Sequence, residues 1–187
     1  MSIEYFQEYD RYVLINGVRN AKVVDPRTAL QQLRAISSDV EVQLLDAKVI
    51  AGKDHLRFAV LNALKSQTQR KQITDSLAVE ILLYASAQRQ IKNAIAALGV
   101  SPSSENLAVV AVANEKAVLE RLEPLLANVL AGELDESVLE EGDVTALKKT
   151  FGIAEDHVRV LLRRDVGERE AVARLVIEKM ALLSSQI

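Results

Sequence analysis

Histidine, serine and acidic side chains are the first candidates for chemistry in this chain of 187 residues, which has two histidines and no cysteine. Asp54 is the sequence neighbour of His55, but adjacent residues on a helix do not face each other. Ser66 falls on the same helical face as His55, yet about 16 Å of helix axis separates them. A Ser-His-Asp site could therefore form only through contacts that the sequence does not reveal. We interpret His55 as an exposed or capping histidine. The sequence around His157 gives even less indication of a catalytic role.

Metal, nucleotide and phosphotransfer sites are also disfavoured. Zinc needs three or four clustered ligands, whereas this chain has two distant histidines and scattered carboxylates. The acidic stretch from Gly132 to Asp143 lacks the glycine-centred spacing of a calcium loop, which favours a solvated acidic turn. Neither GxxxxGK[ST] nor GxGxxG occurs, and the protein-kinase signatures are missing. We expect no cofactor, no metal and no small-molecule substrate, and thus a protein that binds rather than catalyses.

Positive charge is concentrated in the middle of an otherwise acidic chain. The net charge is −3, but residues 53–92 carry seven basic and three acidic side chains. Cations neutralise phosphates, and nearby glutamines can hydrogen-bond base edges and sugar hydroxyls. Aromatic residues are only 4% of the chain and Trp is absent, so no open stacking platform for single strands is evident. Charge alone leaves nucleic-acid binding and an ordinary solvated face equally open.

A small sheet and several helices are expected to position these side chains. Alternating and apolar runs predict strands near 11–17, 20–24, 40–46 and 107–113, with Asn16-Gly17 as the turn between the first two. Asp25-Pro26 is a helix-start signal. Asp75-Ser76 is expected to cap a helix that contains the apolar stretch 77–85, and further helices are expected near 53–70, 88–98, 115–131, 143–151, 155–164 and 168–184. The sequence thus predicts an α+β fold: a small, mostly antiparallel four-stranded sheet flanked by helices, as one domain over 1–187 with its C-terminal helical part at about 143–187.

The apolar pattern also predicts the core. Residues 77–85 are apolar nearly all round, so that helix should be central. Glu80 lies within it and needs a partner, which we expect to be a Lys or Arg from a neighbouring helix. The expected core stripe comprises Leu77, Ile81, Leu82, Ile91 and Ile95. Ile91→Ala should then cost about 2–5 kcal/mol of stability.

Membrane insertion and secretion are not indicated. No apolar run approaches the ~20 residues of a membrane helix. Acidic residues occupy the N-terminal positions where a signal peptide has basic ones. With no cysteine available for disulfides, the cytoplasm is the expected location.

Two stretches resemble a known family. The first is Leu44–His55; the second and more specific is Glu80–Ile95, with the sequence EILLYASAQRQIKNAI. Both resemble the small kinase-docking subunit of the KEOPS complex, the family of the PRPK-binding protein. Asn106–Val110 and Asp135–Leu139 agree in order, and the resemblance spans about residue 17 to the end.

The family pattern has two departures in this chain. Gly is usual where Ala87 stands, and Asn is common where Asp75 stands. Neither change removes a positive charge, although Asp75 adds a negative one.

The resemblance implies a subunit that does no chemistry itself. KEOPS attaches a threonylcarbamoyl group to the adenosine beside the tRNA anticodon. Members of this family bind the N-lobe of a small atypical kinase, and in archaea-like complexes they also hold the single-stranded 3′ CCA end of tRNA. On this basis the candidate RNA contacts are Lys53, His55, Lys65, Arg70, Lys71, Arg89, Gln90 and Lys92.

The expected kinase-docking surface is the C-terminus, which approaches the kinase N-lobe in the family. Its apolar residues exceed what one stripe of the last helix needs, although packing within the domain would also explain them. The candidates are Leu175, Ile177, Leu182, Leu183 and Ile187. Two functions stay open: an RNA-binding adaptor, and a purely protein-binding regulator of the kinase whose basic face is merely solvated.

Overall fold

Five β-strands, all paired antiparallel, form the central sheet in a computed structural model that describes residues 3–162 and 166–185. The strand order is β1-β2-β4-β3, and β5 pairs with β2 beyond the end of β1. The strands are β1 (Ile3–Phe6), β2 (Arg11–Arg19), β3 (Glu41–Asp46), β4 (Leu107–Ala113) and β5 (Glu133–Leu134). The predicted α+β class with an antiparallel sheet is confirmed.

Eight helices within the described residues surround this sheet, and short 3-10 turns lie at Ala47–Val49 and Glu136–Glu140. The helices are α1 (Pro26–Arg34), α2 (Lys53–Thr68), α3 (Leu77–Ser86), α4 (Ile91–Leu98), α5 (Lys116–Val129), α6 (Val144–Phe151), α7 (Glu155–Leu161) and α8 (Glu168–Ser185). Local signals set several starts. The Asp25 side chain caps α1 with Pro26 in its first turn, and the Ser76 hydroxyl caps α3.

The sheet separates two hydrophobic clusters because alternate residues of each strand point to opposite faces. On one face, Val13, Leu45 and Val110 pack with α2, α3 and the C-terminal helices. On the other face, Leu14, Leu44 and Val109 pack with α1 and α5. Strand β4 is buried along its whole length, since it lies between β2 and β3 and both of its faces are covered.

The predicted turn at Asn16-Gly17 is wrong. Strand β2 runs straight through it, with Gly17 paired to Ala108 on β4. A Cβ on Gly17 would lie 2.3 Å from the carbonyl oxygen of Asp135, so glycine here permits close backbone approach rather than a turn. The hairpin partner of β2 is β1, and the predicted strand at 20–24 is irregular chain.

The prediction that Ile91 and Ile95 belong to the core is also wrong. Their side chains are 44% and 54% exposed, and α4 buries Ala94 and Leu98 instead. The periodicity gave a broad apolar stripe, and this helix of eight residues buries only one edge of it. The small Ala94 side chain lets α4 pack closely against α3, which leaves both isoleucines at the surface.

Candidate RNA and kinase interface

Helices α2 and α3 form an antiparallel hairpin that carries most of the predicted site. Near the start of α2, the His55 ring hydrogen-bonds the carbonyl oxygen of Ala85 in the last turn of α3, at 2.7 Å. Near the end of α2, the Ser66 hydroxyl donates to Glu80 in the first turn of α3, at 3.2 Å. These two contacts are about 16 Å apart along α2. We call the end with Ala85 the turn end and the end with Glu80 the loop end.

The loop end is organised by the buried carboxyl group of Glu80. It accepts hydrogen bonds from the backbone N–H groups of Ile73 and Thr74, each at 3.1 Å, as well as from the Ser66 hydroxyl. The expected Lys or Arg partner of Glu80 is therefore a wrong prediction, because loop amides meet its hydrogen-bonding need. The α2–α3 loop is thereby held against α3.

Three of the predicted RNA contacts lie at this loop end. Lys65, Arg70 and Lys71 are all exposed, and Arg70 adopts a left-handed backbone conformation with φ 55°. The N–H of Lys71 donates to the carbonyl oxygen of Ser66 at 2.9 Å, which closes the end of the helix. Exposed cations on this loop can meet phosphates.

The turn end is a tight helix-to-helix connection centred on Ala87. Its φ of 52° is left-handed, and its N–H donates to Tyr84 while the next N–H, that of Gln88, donates to Leu83. This pattern is a helix C-cap that usually takes glycine. Arg89, Gln90 and Lys92 follow directly and are exposed.

A groove of about 360 Å³ opens beside α4, and Ile91 and Ile95 line it. Its other walls are mainly apolar side chains of α1, β3 and α3, including Leu30 and Val79, and Asp25 and Gln43 also line it. Arg27 and Arg34 on α1 bring positive charge to the same groove. The Arg34 guanidinium donates to the Val42 carbonyl oxygen at 2.7 Å, while its buried Nε has no partner among the described atoms. The groove thus combines mainly apolar walls with two cations and the carboxylate of Asp25.

Sequence reasoning missed this groove. It assigned the two isoleucines to the core, and it left the cations of α1 outside the basic set. The available signal was the alternation of Arg89 and Lys92 with Ile91, since apolar residues interleaved with cations indicate an interface as readily as a core edge.

His55 is fully buried, so of its two predicted roles the exposed one is wrong and the capping one remains, and the side chain cannot contact RNA directly. The ring Nδ1 accepts from the Ala51 N–H at 3.1 Å, which places the ring proton on Nε2, facing the Ala85 carbonyl oxygen. Phe151 of α6 packs edge-on against the ring at 5.7 Å between centroids. Burial lowers the pKa of His55 to about 4, and the hydrogen bond to Ala85 opposes this shift. The ring is therefore neutral at physiological pH.

Lys53 contacts the acidic segment that follows β5 through both its side chain and its backbone. Its ammonium pairs with Glu136, and its backbone N–H donates to Glu140 at 2.8 Å. The same segment binds Arg19, whose guanidinium contacts Asp135 at 2.6 Å. The Ser137 hydroxyl, together with Arg19, lowers the pKa of Asp135 to about 2. This segment is thus an internal partner for cations, which weakens the case for Lys53 as an RNA contact.

The predicted basic face is consequently two groups rather than one. Lys65, Arg70 and Lys71 are at the loop end, whereas Arg89, Gln90 and Lys92 are at the turn end beside the groove. Seen from the sequence alone these residues could converge, but the antiparallel hairpin separates them.

Of the apolar residues predicted to dock a kinase, helix α8 buries one fully and two partly. Leu183 is 4% exposed and belongs to the core, so it is a wrong prediction for a docking contact. Leu175 and Ile177 are partly buried against the same core. Leu182 is 53% exposed and stays a candidate, while Ile187 lies outside the described residues.

Two features are absent from the chain that the structure describes. No helix within residues 3–162 and 166–185 is both long and apolar enough to cross a membrane. Among these same residues, no group of three or more His, Asp or Glu side chains is placed to hold a metal ion.

Comparison with known proteins gives the class. Residues 15–184 match the family described as kinase binding protein CGI-121, so the chain belongs to that family. The resemblance found at Glu80–Ile95 is confirmed.

Two relatives illustrate the range of the family. The regulatory protein Cgi121 of Methanocaldococcus jannaschii is 29% identical over 173 residues, which is 91% of this chain and 97% of that protein. The EKC/KEOPS complex subunit CGI121 of Gibberella zeae is 31% identical over 99 residues, which is 53% of this chain and 48% of that protein.

Proposed function

We propose that this chain is a non-catalytic subunit of a KEOPS-type tRNA-modifying complex, which binds a small kinase and the single-stranded 3′ end of tRNA. Membership of the CGI-121 family supports the kinase part. The observation that carries the RNA part is the groove beside α4, where two exposed isoleucines lie with Arg27 and Arg34.

The groove suits unpaired bases better than a duplex. Its volume is within the range of small-ligand sites, and its apolar walls can cover the face of a base. A base inside a duplex cannot enter such a groove, whereas a splayed single strand can. Arg27 and Arg34 can meet base edges or phosphates from the opposite wall.

The start of α4 favours a phosphate next to this groove. Gln90 makes no side-chain cap to the helix, so N–H groups of the first turn point outward without that partner. A helix start of this kind attracts anions, and Arg89 and Lys92 add charge on either side. The exposed loop-end cations Arg70 and Lys71 would then meet phosphates further along the RNA.

Charge reversal at the turn end tests the RNA part. Arg89→Glu should weaken binding of intact tRNA by at least about tenfold, because it replaces an attraction with a repulsion. Affinity should fall with salt at a slope near −0.7 per phosphate neutralised on a single strand. Arg121→Glu, an exposed reversal on α5 across the sheet, is the matched control. Equal losses in both variants would reject a local RNA site.

Leu182 tests the kinase part. Leu182→Asp should weaken kinase binding in calorimetry, since it puts a charge on the exposed apolar position that α8 offers. Leu125→Asp on α5 is the control, because Leu125 is also a partly exposed leucine. Truncation from residue 183 would be a poorer test, because Leu183 is a core residue. Unchanged affinity of Leu182→Asp would rule out this surface.

The alternative is a protein that binds only the kinase. In that case Arg27, Arg34 and Arg89 are ordinary surface cations, and the groove binds no ligand. It predicts weak RNA binding that any charge reversal reduces equally.

A further inference from the structure

The buried His55 ring bridges the segment just before α2 and the last turn of α3. Its Nδ1 accepts from Ala51, just before α2, and its Nε2 donates to Ala85, two residues before the left-handed Ala87. No solvent reaches the ring. The contact therefore fixes where α3 ends relative to where α2 begins.

The end of α3 depends on this contact to satisfy its carbonyl groups. The last four carbonyls of any α-helix lack partners within the helix. Here the Leu83 oxygen receives the Gln88 N–H, and the Tyr84 oxygen receives the Ala87 N–H. The Ala85 oxygen receives His55. A side chain from another helix thus satisfies one of the carbonyl groups at the start of the α3–α4 turn.

The turn needs such support because of its residue at the left-handed position. Alanine adopts this conformation far less readily than glycine, so the left-handed conformation of Ala87 needs support from other contacts. Phe151 closes the other side of the ring and prevents it from swinging away. The ring is held in one orientation, with its single N–H aimed at α3.

We infer that His55 is a positioning residue for the RNA site, because it holds the α3–α4 turn that presents Arg89, Gln90 and Ile91. The inference rests on the proposed RNA function, but the positioning itself can be measured without RNA. His55 acts through the Ala85 carbonyl and touches no ligand. The two ring nitrogens have separable tasks, since only Nε2 reaches the turn.

A pair of amide variants separates these tasks. In His55→Gln the longer side chain can place an N–H donor where Nε2 stands, and the acceptor for Ala51 is lost. In His55→Asn the shorter side chain can place an acceptor where Nδ1 stands, and the donor to Ala85 is lost. Both variants remove one buried hydrogen bond, so both should lower the unfolding midpoint in urea by similar amounts.

The readouts should differ at the turn. Amide hydrogen exchange at Ala87 and Gln88 should speed up by about tenfold or more in His55→Asn, and by about twofold at most in His55→Gln. The affinity for intact tRNA should fall by about tenfold in His55→Asn and stay within about twofold of wild type in His55→Gln.

One result would overturn the inference, and another would overturn the proposed RNA function. If exchange at the turn and RNA affinity change equally in both variants, His55 is only a core residue and the inference is overturned. If the exchange difference appears but the wild-type chain does not bind tRNA, positioning stands and the proposed RNA function fails instead.

Discussion

The loop end and the turn end of the α2–α3 hairpin carry similar positive charge on different supports. At the loop end, Arg70 and Lys71 project from a loop that a buried carboxyl group, Glu80, holds by its amides. At the turn end, Arg89 and Lys92 flank a groove, and a buried imidazole, His55, holds the turn through a carbonyl group. The Glu80 carboxyl group accepts hydrogen bonds from a loop, whereas the His55 imidazole donates one to a helix end.

The two ends differ in what they can recognise. Exposed cations on a loop can neutralise phosphates, which gives affinity without information about the strand. A groove with apolar walls and cations can also distinguish unpaired bases from a duplex. Under the proposed RNA function, we expect the loop end to supply affinity and the turn end to supply selectivity for the RNA terminus.

Removing the Glu80 carboxyl group at the loop end should have the largest effect on stability. Glu80→Ala leaves two N–H groups and one hydroxyl without their acceptor, and it should cost about 3–5 kcal/mol in urea unfolding. Glu178→Ala on α8 is the control, because that glutamate is exposed and should change stability by no more than about 0.5 kcal/mol. A cost near 1 kcal/mol for Glu80→Ala would mean that water satisfies the loop amides.

Two substitutions in α4 should separate its buried edge from its groove edge. Leu98→Ala removes a fully buried side chain and should cost about 2–5 kcal/mol. Ile91→Ala should cost less than about 1 kcal/mol, because 44% of the side chain is already exposed, while RNA binding falls. A large stability loss for Ile91→Ala would return this residue to the core and close the groove.

Acid should lower the stability of the fold through the titration of His55 at the turn end. His55 has a folded pKa of about 4 and an ordinary value of 6.5, so the unfolded chain binds a proton in that window and the folded chain does not. Stability should therefore fall as pH drops, by about 2 kcal/mol between pH 7.5 and pH 5. His55→Gln should lack this component when both proteins are unfolded in urea at each pH. Parallel pH curves for the two proteins would show that the imidazole does not titrate on unfolding.

The smallest effect concerns the left-handed residues, one at each end. Ala87→Gly and Arg70→Gly should each relieve backbone strain and raise stability by up to about 1 kcal/mol, offset by the freedom of glycine in the unfolded chain. Ala87→Gly should leave RNA affinity intact, whereas Arg70→Gly should lower it through the lost charge. Thermal midpoints and tRNA titration measure both. Destabilisation by Ala87→Gly would indicate that its methyl group packs usefully.

Sequence patterns predicted the local features and missed those that depend on tertiary approach. Caps such as Asp25 and Ser76 were readable because a cap needs only its own first turn. Gly17 looked like a turn residue because its real reason, the backbone of Asp135, is 118 positions away in the chain. The burial of His55 was missed because its partners, Ala51 and Ala85, are known only once α2 and α3 are packed.

The candidate site was predicted in part for the same reason. The cations between residues 53 and 92 were visible from composition, but the antiparallel hairpin sorts them into two groups. The groove depends on α1 and β3 as well as α4, so no window of sequence contains it.

The most direct test of the proposed function is the affinity of the wild-type chain for intact tRNA compared with the same tRNA lacking its CCA end. We expect removal of the CCA end to weaken binding by at least about tenfold, since it takes away the bases that the groove would hold. In Arg89→Glu this difference should nearly vanish, whereas in Lys71→Glu it should persist on top of a general loss. Equal affinities of the wild-type chain for intact and trimmed tRNA would contradict the account, and would leave a regulator that binds only the kinase.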